Sequence, residues 1–150
     1  MPSNRTALII GASRGIGLGL VRQLHGAGWQ VTATVRDPAR ASELRAMNGV
    51  QIESLDIDDA AALDTLVQRL QGQVFDLLFV NAGIIGPGHQ SAARATIEEL
   101  GQLFMTNVTA PIRLAERLVD QLRPQTGVLA FMSSGPVSYT HLTLPTTPYV

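Results

Sequence analysis

Cysteine and lysine are both missing from this 150-residue chain. Without cysteine, the chain can form neither a disulfide nor a thiolate metal site. Without lysine, all 11 basic residues are arginine, and the 12 acidic residues leave a net charge of −1. This balance provides no strongly basic surface, so we expect no binding to nucleic acid or to anionic membranes.

Long apolar runs are missing too, and so is a charged leader followed by an apolar stretch. We therefore expect a cytoplasmic protein. The three histidines (His25, His89 and His141) do not have the spacing of metal ligands, and no metal is expected. With 45% hydrophobic and 15% charged residues, the composition is that of a globular domain, and 150 residues can bury a substantial core.

Short apolar runs alternate with helical patterns along the chain. Five such runs predict strands near residues 8–10, 29–35, 50–55, 75–80 and 128–132. Strands separated by helices form parallel sheets that are covered on both faces. With right-handed crossovers, this pattern predicts an α/β fold, a doubly wound parallel sheet with the strand order 3-2-1-4-5.

The helices are predicted from apolar residues three or four positions apart. The first has a face formed by Ile16, Leu20 and Leu24. A second is bounded by Asp37-Pro38 and Asn48-Gly49, and a third begins after Asp58 or Asp59. The last is a long helix that Pro111 should kink or shorten, with an apolar face formed by Val108, Ile112, Ala115, Val119 and Leu122.

Three glycines, Gly11, Gly15 and Gly17, mark the turn from the first strand into the first helix. Glycine permits a tight reversal of the backbone and close approach of a ligand. The helix then begins with unpaired N–H groups at the positive end of its dipole, which suits a phosphate. The spacing G-x-x-x-G-x-G differs from the common G-x-G-x-x-G fingerprint, and alone it could be an ordinary turn.

Other polar residues follow the remaining predicted strands. Arg36, Asp56, residues 81–83 and the pair Ser133-Ser134 each come at or just after a strand end. In a doubly wound sheet, ligands bind beyond the carboxyl ends of the strands, where the strand order reverses. We therefore expect these residues to gather at one site, although Asn81 and the two serines, taken alone, are also ordinary turn residues.

Two arginines indicate which nucleotide this site takes. Arg36 lies at the end of the second strand, where an NAD enzyme usually has Asp or Glu to bind the ribose 2′-OH. Arg14 lies within the glycine turn. Two guanidinium groups facing one point favour an anion between them, such as the 2′-phosphate of NADP. Alternatively, Asp37 pairs with Arg36 or with a ribose hydroxyl, or both arginines are simply solvated.

The order and intervals of these features resemble the short-chain dehydrogenase/reductase family over about residues 5–137. The resemblance implies a Rossmann fold and hydride transfer to or from a nicotinamide dinucleotide. It implies that cofactor phosphates and ribose are held by residues of the glycine turn, Gly11, Ser13, Arg14, Gly15, Ile16 and Gly17. It further implies that Asp56 and Ile57 contact the adenine edge, and that Asn81, Ala82 and Gly83 brace the central strand beside the cofactor.

For catalysis, Ser134 matches the family serine that bonds the substrate oxygen, and Asn107 matches the asparagine that holds a water in the proton relay. The family's Tyr-x-x-x-Lys pair is absent. Tyr139 is too close to Ser134, and Tyr149 is followed only by Val150. Without a nearby cation, a tyrosine titrates near pH 10 and yields little phenolate at neutral pH.

Residues 138–150 show neither a helical nor a strand pattern. We expect them to be a non-native or irregular tail, following an incomplete dinucleotide-binding Rossmann domain over residues 1–137 that is truncated after about the fifth strand. The chain would then be an N-terminal fragment lacking the catalytic Tyr–Lys pair.

The predicted function is that of an NADP-dependent oxidoreductase acting on a small carbonyl or alcohol substrate, homo-oligomeric at full length and, as this fragment, nearly inactive. The alternative is a non-catalytic NADP(H)-binding or redox-sensing module. A third hypothesis is that the chain comes from a relative that uses this fold for epimerisation or dehydration. The substrate itself is not predicted.

Overall fold

The computed structural model describes residues 5–91 and 93–133. Five strands form a single sheet in which every neighbouring pair is parallel, and the order β3-β2-β1-β4-β5 confirms the prediction. The order reverses between β1 and β4, which opens a crevice at their carboxyl ends. The strands are β1 Thr6–Ile10, β2 Gln30–Val35, β3 Gln51–Ser54, β4 Leu77–Val80 and β5 Val128–Phe131.

Within the described residues, the strands are connected by five α-helices: α1 Gly15–Gly26, α2 Ser42–Arg45, α3 Ala60–Arg69, α4 Ile97–Phe104 and α5 Ala110–Leu118. A π-helical turn, Met105–Thr109, joins α4 directly to α5. Local side chains start several of these elements. Asp59 accepts hydrogen bonds from the first amides of α3, and Thr96 and Glu99 form a reciprocal capping box at the start of α4.

The core consists of two apolar layers, one on each face of the sheet. One layer lies under α1 and α2 and includes Ile9, Val21 and Leu44. The other lies under α3 and α5 and includes Leu8 and Leu114. Since consecutive residues of β1 enter opposite layers, this strand is covered on both faces, as a central parallel strand should be.

The structure corrects two predicted helix faces. Ile16 is 66% exposed, whereas Leu20 and Leu24 of the predicted face are partly buried against the core. The fully buried residues of α1 are Gly17, Leu18 and Val21. In α5, Ile112 is 51% exposed, whereas the buried face consists of Ala110, Pro111, Leu114 and Leu118. Both segments carry apolar residues on more than one side, and periodicity alone cannot tell which side meets the sheet.

The second predicted helix is also different. Asp37 does cap a helical segment, by accepting a hydrogen bond from the amide of Ala39 at 3.0 Å. That segment is only a 3₁₀ turn, Pro38–Arg40, and Ala41 then leaves the helical region before the single turn of α2. Ala41 is 4% exposed, so the chain bends to place its methyl group in the core.

Gly17 sets how closely α1 lies on the sheet. A Cβ at this position would lie 2.2 Å from the carbonyl oxygen of Gly11 and 2.7 Å from the side-chain nitrogen of Asn81. That same nitrogen donates a hydrogen bond to the Gly11 carbonyl at 2.8 Å. The turn after β1, the start of α1 and the end of β4 therefore meet at a point that has no room for a methyl group.

The opposite end of the sheet is tied together by Asp76. Its carboxylate accepts hydrogen bonds from the backbone amide of Thr6 at 2.8 Å and from Nε of Arg123 at 2.5 Å. The Arg123 guanidinium is the main cause that lowers the pKa of Asp76 to about 2. This carboxylate links β1, β4 and the segment before β5.

We predict that Gly17→Ala lowers the free energy of unfolding by about 1–3 kcal/mol, because the added methyl group must displace backbone at Gly11. The urea midpoint of unfolding measures the change. Gly19→Ala is the matched control: it lies two residues further along α1, and its added Cβ meets nothing within 4 Å. Since alanine favours helix over glycine, the control should be neutral or stabilising, and a loss as large as that of Gly17→Ala would contradict the packing argument.

Asp76→Asn should destabilise the fold by about 1–2 kcal/mol at pH 7, because it removes a charge-assisted pair with Arg123. The pKa of Asp76 is lower in the folded than in the unfolded chain, so the unfolded chain takes up the proton first. The stabilisation by the carboxylate is therefore complete above about pH 4 and is lost as the pH falls towards 2. Urea midpoints of wild type and variant should converge over that range, and an unchanged gap at low pH would count against this account.

Candidate functional site

A cavity of about 600 Å³ lies at the carboxyl ends of the strands, where the sheet order reverses. With the exception of Gly17, which packs beneath the turn, all of the residues predicted to bind a cofactor line it. These lining residues are Gly11, Ser13, Arg14, Gly15, Ile16, Arg36, Asp56, Ile57, Asn81, Ala82 and Gly83. The topology thus brings residues from four separate strand ends to one place.

The glycine turn presents the start of α1 to this cavity. Gly11 and Gly15 have φ angles of 84° and 58°, in the region that favours glycine. Arg14 occupies the N-cap position without a side-chain cap, and the first turn of α1 has no acidic residue. The first N–H groups of the helix, at the positive end of its dipole, are therefore directed at open space. A Cβ on Gly15 would meet nothing within 4 Å, so this side of the turn is free of protein atoms.

Thr34, a residue of β2 that was not predicted as part of the site, holds this turn. The Thr34 side-chain oxygen accepts a hydrogen bond from the amide of Gly11 at 3.1 Å, and its backbone carbonyl accepts one from Ala12 at 2.9 Å. Thr34 is 1% exposed. A threonine inside an apolar strand is the sequence signal for such a role, because a buried hydroxyl needs a partner.

Arg14 and Arg36 both line the cavity and are exposed. Among the described residues, no carboxylate forms an ion pair with either guanidinium. The acids that follow β2 and β3 accept hydrogen bonds from backbone amides, Asp37 from Ala39 and Asp56 from Asp58 at 3.1 Å. A third acid, Asp58, also lines the cavity and accepts hydrogen bonds from side chains. The cavity therefore has two unpaired positive charges beside a helix N-terminus, a combination that attracts anions.

Asn107 lies in the π-helical turn and contacts the loop after β4. Its side chain accepts a hydrogen bond from the amide of Ile84 and donates one to the carbonyl of the same residue, both at 2.8 Å. A Cβ on Gly83 would lie 3.1 Å from the Asn107 side-chain oxygen, so glycine fits that contact best. Pro111 has no N–H, and the ordinary α-helical bond to the Asn107 carbonyl therefore cannot form.

The other predicted catalytic residue, Ser134, lies outside the described residues, as does the predicted tail at 138–150. In the described part of the chain, no group of three or more His, Asp or Glu side chains is placed to hold a metal ion. The described helices also include none with the length and apolar character needed to cross a membrane.

Three further polar residues of the cavity were not predicted as part of the site: Asp58, Gln102 and Thr106. From the sequence, Asp58 is predicted only as a possible cap of α3, a role that Asp59 takes in the structure. Gln102 and Thr106 lie on α4 and the π-helical turn, some 45 residues further along the chain. Only the tertiary fold brings them to the loop after β3.

Comparison with solved structures places this geometry among known proteins. A carbonyl reductase from Pseudomonas aeruginosa PAO1 in complex with NADP is 38% identical in sequence and superposes with a TM-score of 0.79. The alignment covers 87% of this chain and 61% of that one.

Curated relatives give a similar result. A 1-deoxy-11-beta-hydroxypentalenate dehydrogenase from Streptomyces avermitilis is 32% identical over 79% of this chain, and a serine 3-dehydrogenase from Agrobacterium fabrum is 28% identical over 91%. The chain spans about half the length of such relatives, 48% and 56% for these two. The family model for short chain dehydrogenases matches residues 5–143. With its sheet order, its glycine turn and this match, the chain belongs to the short-chain dehydrogenase/reductase family of oxidoreductases.

Proposed function

We propose that this chain is the cofactor-binding part of an NADP-dependent oxidoreductase that transfers a hydride between the nicotinamide and a small carbonyl or alcohol substrate. One observation carries the proposal: the uncapped N-terminus of α1 and two unpaired arginines line the same cavity. Residues 1–137 would form this cofactor-binding domain, incomplete at its C-terminal end.

The cavity fits a dinucleotide in three respects. Its volume of about 600 Å³ lies in the range of small-molecule sites. The open side of Gly15 leaves room for a diphosphate against the first amides of α1. The crevice also lies at the switch point of the sheet, where dinucleotides bind in folds of this type.

Arg14 and Arg36 support NADP over NAD. An unmodified ribose 2′-OH requires a hydrogen-bond acceptor, whereas the 2′-phosphate requires cations. Here both arginines are free of carboxylate partners, and Asp37, the acid that follows Arg36, caps its own 3₁₀ turn. The Pseudomonas aeruginosa carbonyl reductase was crystallised with NADP, which agrees with this choice.

When bound, the nicotinamide supplies or accepts the hydride. Ser134 would hydrogen-bond the substrate oxygen. Asn107 would keep the loop at residue 84 in place and hold a water of the proton relay beside the cofactor. The relatives named above are dehydrogenases of compounds as different as serine and 1-deoxy-11-beta-hydroxypentalenate, so the proposal names a class of substrate, small carbonyl or alcohol compounds.

We predict that Arg36→Asp weakens NADPH binding by roughly 10- to 150-fold, the loss expected for one charge-assisted hydrogen bond, and leaves NADH binding nearly unchanged. Fluorescence titration of the 150-residue chain with each cofactor measures both constants. Wild type should prefer NADPH, and equal affinities before mutation would refute the phosphate argument.

Arg40→Asp is the control for this experiment. It makes the same change in charge four residues further along the chain, on an exposed side chain that does not line the cavity. Because the field of an exposed charge is screened within about 10 Å, this variant should shift NADPH affinity by no more than about twofold. A loss equal to that of Arg36→Asp would show that net charge alone is responsible.

We also predict that the 150-residue chain binds NADPH but reduces carbonyl compounds very slowly. It has no lysine to accompany a catalytic tyrosine, and general acid catalysis typically contributes about 10²- to 10⁴-fold. Loss of NADPH absorbance, compared between this chain and the protein with its downstream sequence, measures the difference. If the longer protein binds NADPH and shows no turnover with a panel of aldehydes and ketones, the alternative of a redox-sensing module is favoured.

A further inference from the structure

A carboxylate on the cavity wall binds two side chains of the neighbouring helix. Oδ2 of Asp58 accepts hydrogen bonds from the Thr106 hydroxyl at 2.7 Å and from the Gln102 amide at 2.8 Å. The Gln102 amide also donates to the Thr106 hydroxyl at 2.9 Å. We call these three residues the Asp58 clamp. They connect the loop after β3 to α4 and to the π-helical turn.

The clamp acts on the π-helical turn Met105–Thr109. Such turns are rare, because the α-helical alternative is usually more stable, and contacts outside the helix must hold them. Thr106 is 4% exposed, so its hydroxyl depends on protein partners. The next residue, Asn107, carries the two hydrogen bonds that hold Ile84. Asp58 is therefore connected through Thr106 and Asn107 to the cavity wall after β4.

Stability alone does not account for an acid at this position. The second oxygen of Asp58 is buried without a hydrogen-bond partner among the described residues. An unpaired buried oxygen costs free energy that an apolar side chain would not. A group retained at such a cost points to a role in holding a particular geometry.

We propose that Asp58 is a positioning residue. It holds Thr106, and with it the π-helical turn, in the arrangement that lets Asn107 bind the backbone of Ile84. Ile84 and Ile85 line the cavity, so the clamp fixes the part of the cavity wall that follows β4. The inference rests on the proposed function only in assuming that this wall borders a cofactor. The link from Asp58 to Ile84 can be tested without any ligand.

The test is amide hydrogen exchange, followed by NMR on the 150-residue chain without cofactor. In Asp58→Ala, the amide of Ile84 should exchange at least about tenfold faster, because local opening of the π-helical turn releases its bond to Asn107. The amide of Asn81, bonded to the Ile10 carbonyl at 2.9 Å, should change by less than about twofold. The NMR chemical shifts of the Asn107 side-chain NH₂ group should change in the same variants that accelerate exchange of the Ile84 amide.

Three further variants separate positioning from general loss of stability. Asp58→Asn keeps an acceptor for Thr106 and Gln102 and should restore most of the protection at Ile84. Thr106→Val removes the hydroxyl donor with little change of shape and should accelerate amide exchange at Ile84 as much as Asp58→Ala does. In the double variant of Asp58→Ala and Thr106→Val, the exchange of Ile84 should be no faster than in either single variant. Asp76→Asn lowers global stability at the other end of the sheet and should leave the exchange of Ile84 unchanged.

The proposal is overturned if, in both Asp58→Ala and Thr106→Val, the exchange rate of the Ile84 amide stays within twofold of the wild-type rate. It is equally overturned if amide exchange becomes faster by similar factors at Ile84 and Asn81, because Asp58 would then be a general stabilising residue. If Asp58→Ala does not fold, Thr106→Val and Asp58→Asn decide the matter. Failure of wild type to bind NADPH would remove the proposed function and leave these exchange results intact.

Discussion

The hydrogen bond from the Asn81 side chain to the Gly11 carbonyl is the contact on which the site depends. It holds the end of β4 against the turn after β1, and the start of α1 fits beneath it only because Gly17 has no side chain. Residues 70 positions apart thereby fix the direction of a helix N-terminus. An asparagine can do this because its amide donates to a carbonyl, which a carboxylate of the same shape cannot.

Among the described residues, charged side chains are paired at one end of the sheet and unpaired at the other. At the amino end, Asp76 is fully engaged by Thr6 and Arg123, and the pairing lowers its pKa. At the carboxyl end, Arg14 and Arg36 stay unpaired, while the adjacent acids bind backbone amides of their own loops. One end thus contributes stability, whereas the other preserves a positive field for a ligand.

Sequence patterns predicted what depends on neighbours along the chain. The strand order, the glycine turn and the caps at Asp37 and Asp59 follow from local spacing and from general rules of connection. The buried faces of α1 and α5 could not be chosen in this way, since periodicity finds an apolar face without saying what covers it. A threonine in a buried segment indicates that its hydroxyl needs a partner, but the sequence does not show that Thr34 and Thr106 find theirs 23 and 48 positions away.

Pro111 shows how a local signal acquires its meaning from distant contacts. From sequence it predicted a kink or an early boundary, yet the helical run continues through it, with the π-helical turn placed just before. The missing N–H of proline makes a regular α-helix less favourable there, so the competing π-helical turn costs less than elsewhere. The contact of Thr106 with Asp58 and that of Asn107 with Ile84 then stabilise this turn. An irregular helix is therefore maintained at the point where it lines the cavity, because the sequence weakens the regular alternative and the fold supplies partners for the irregular one.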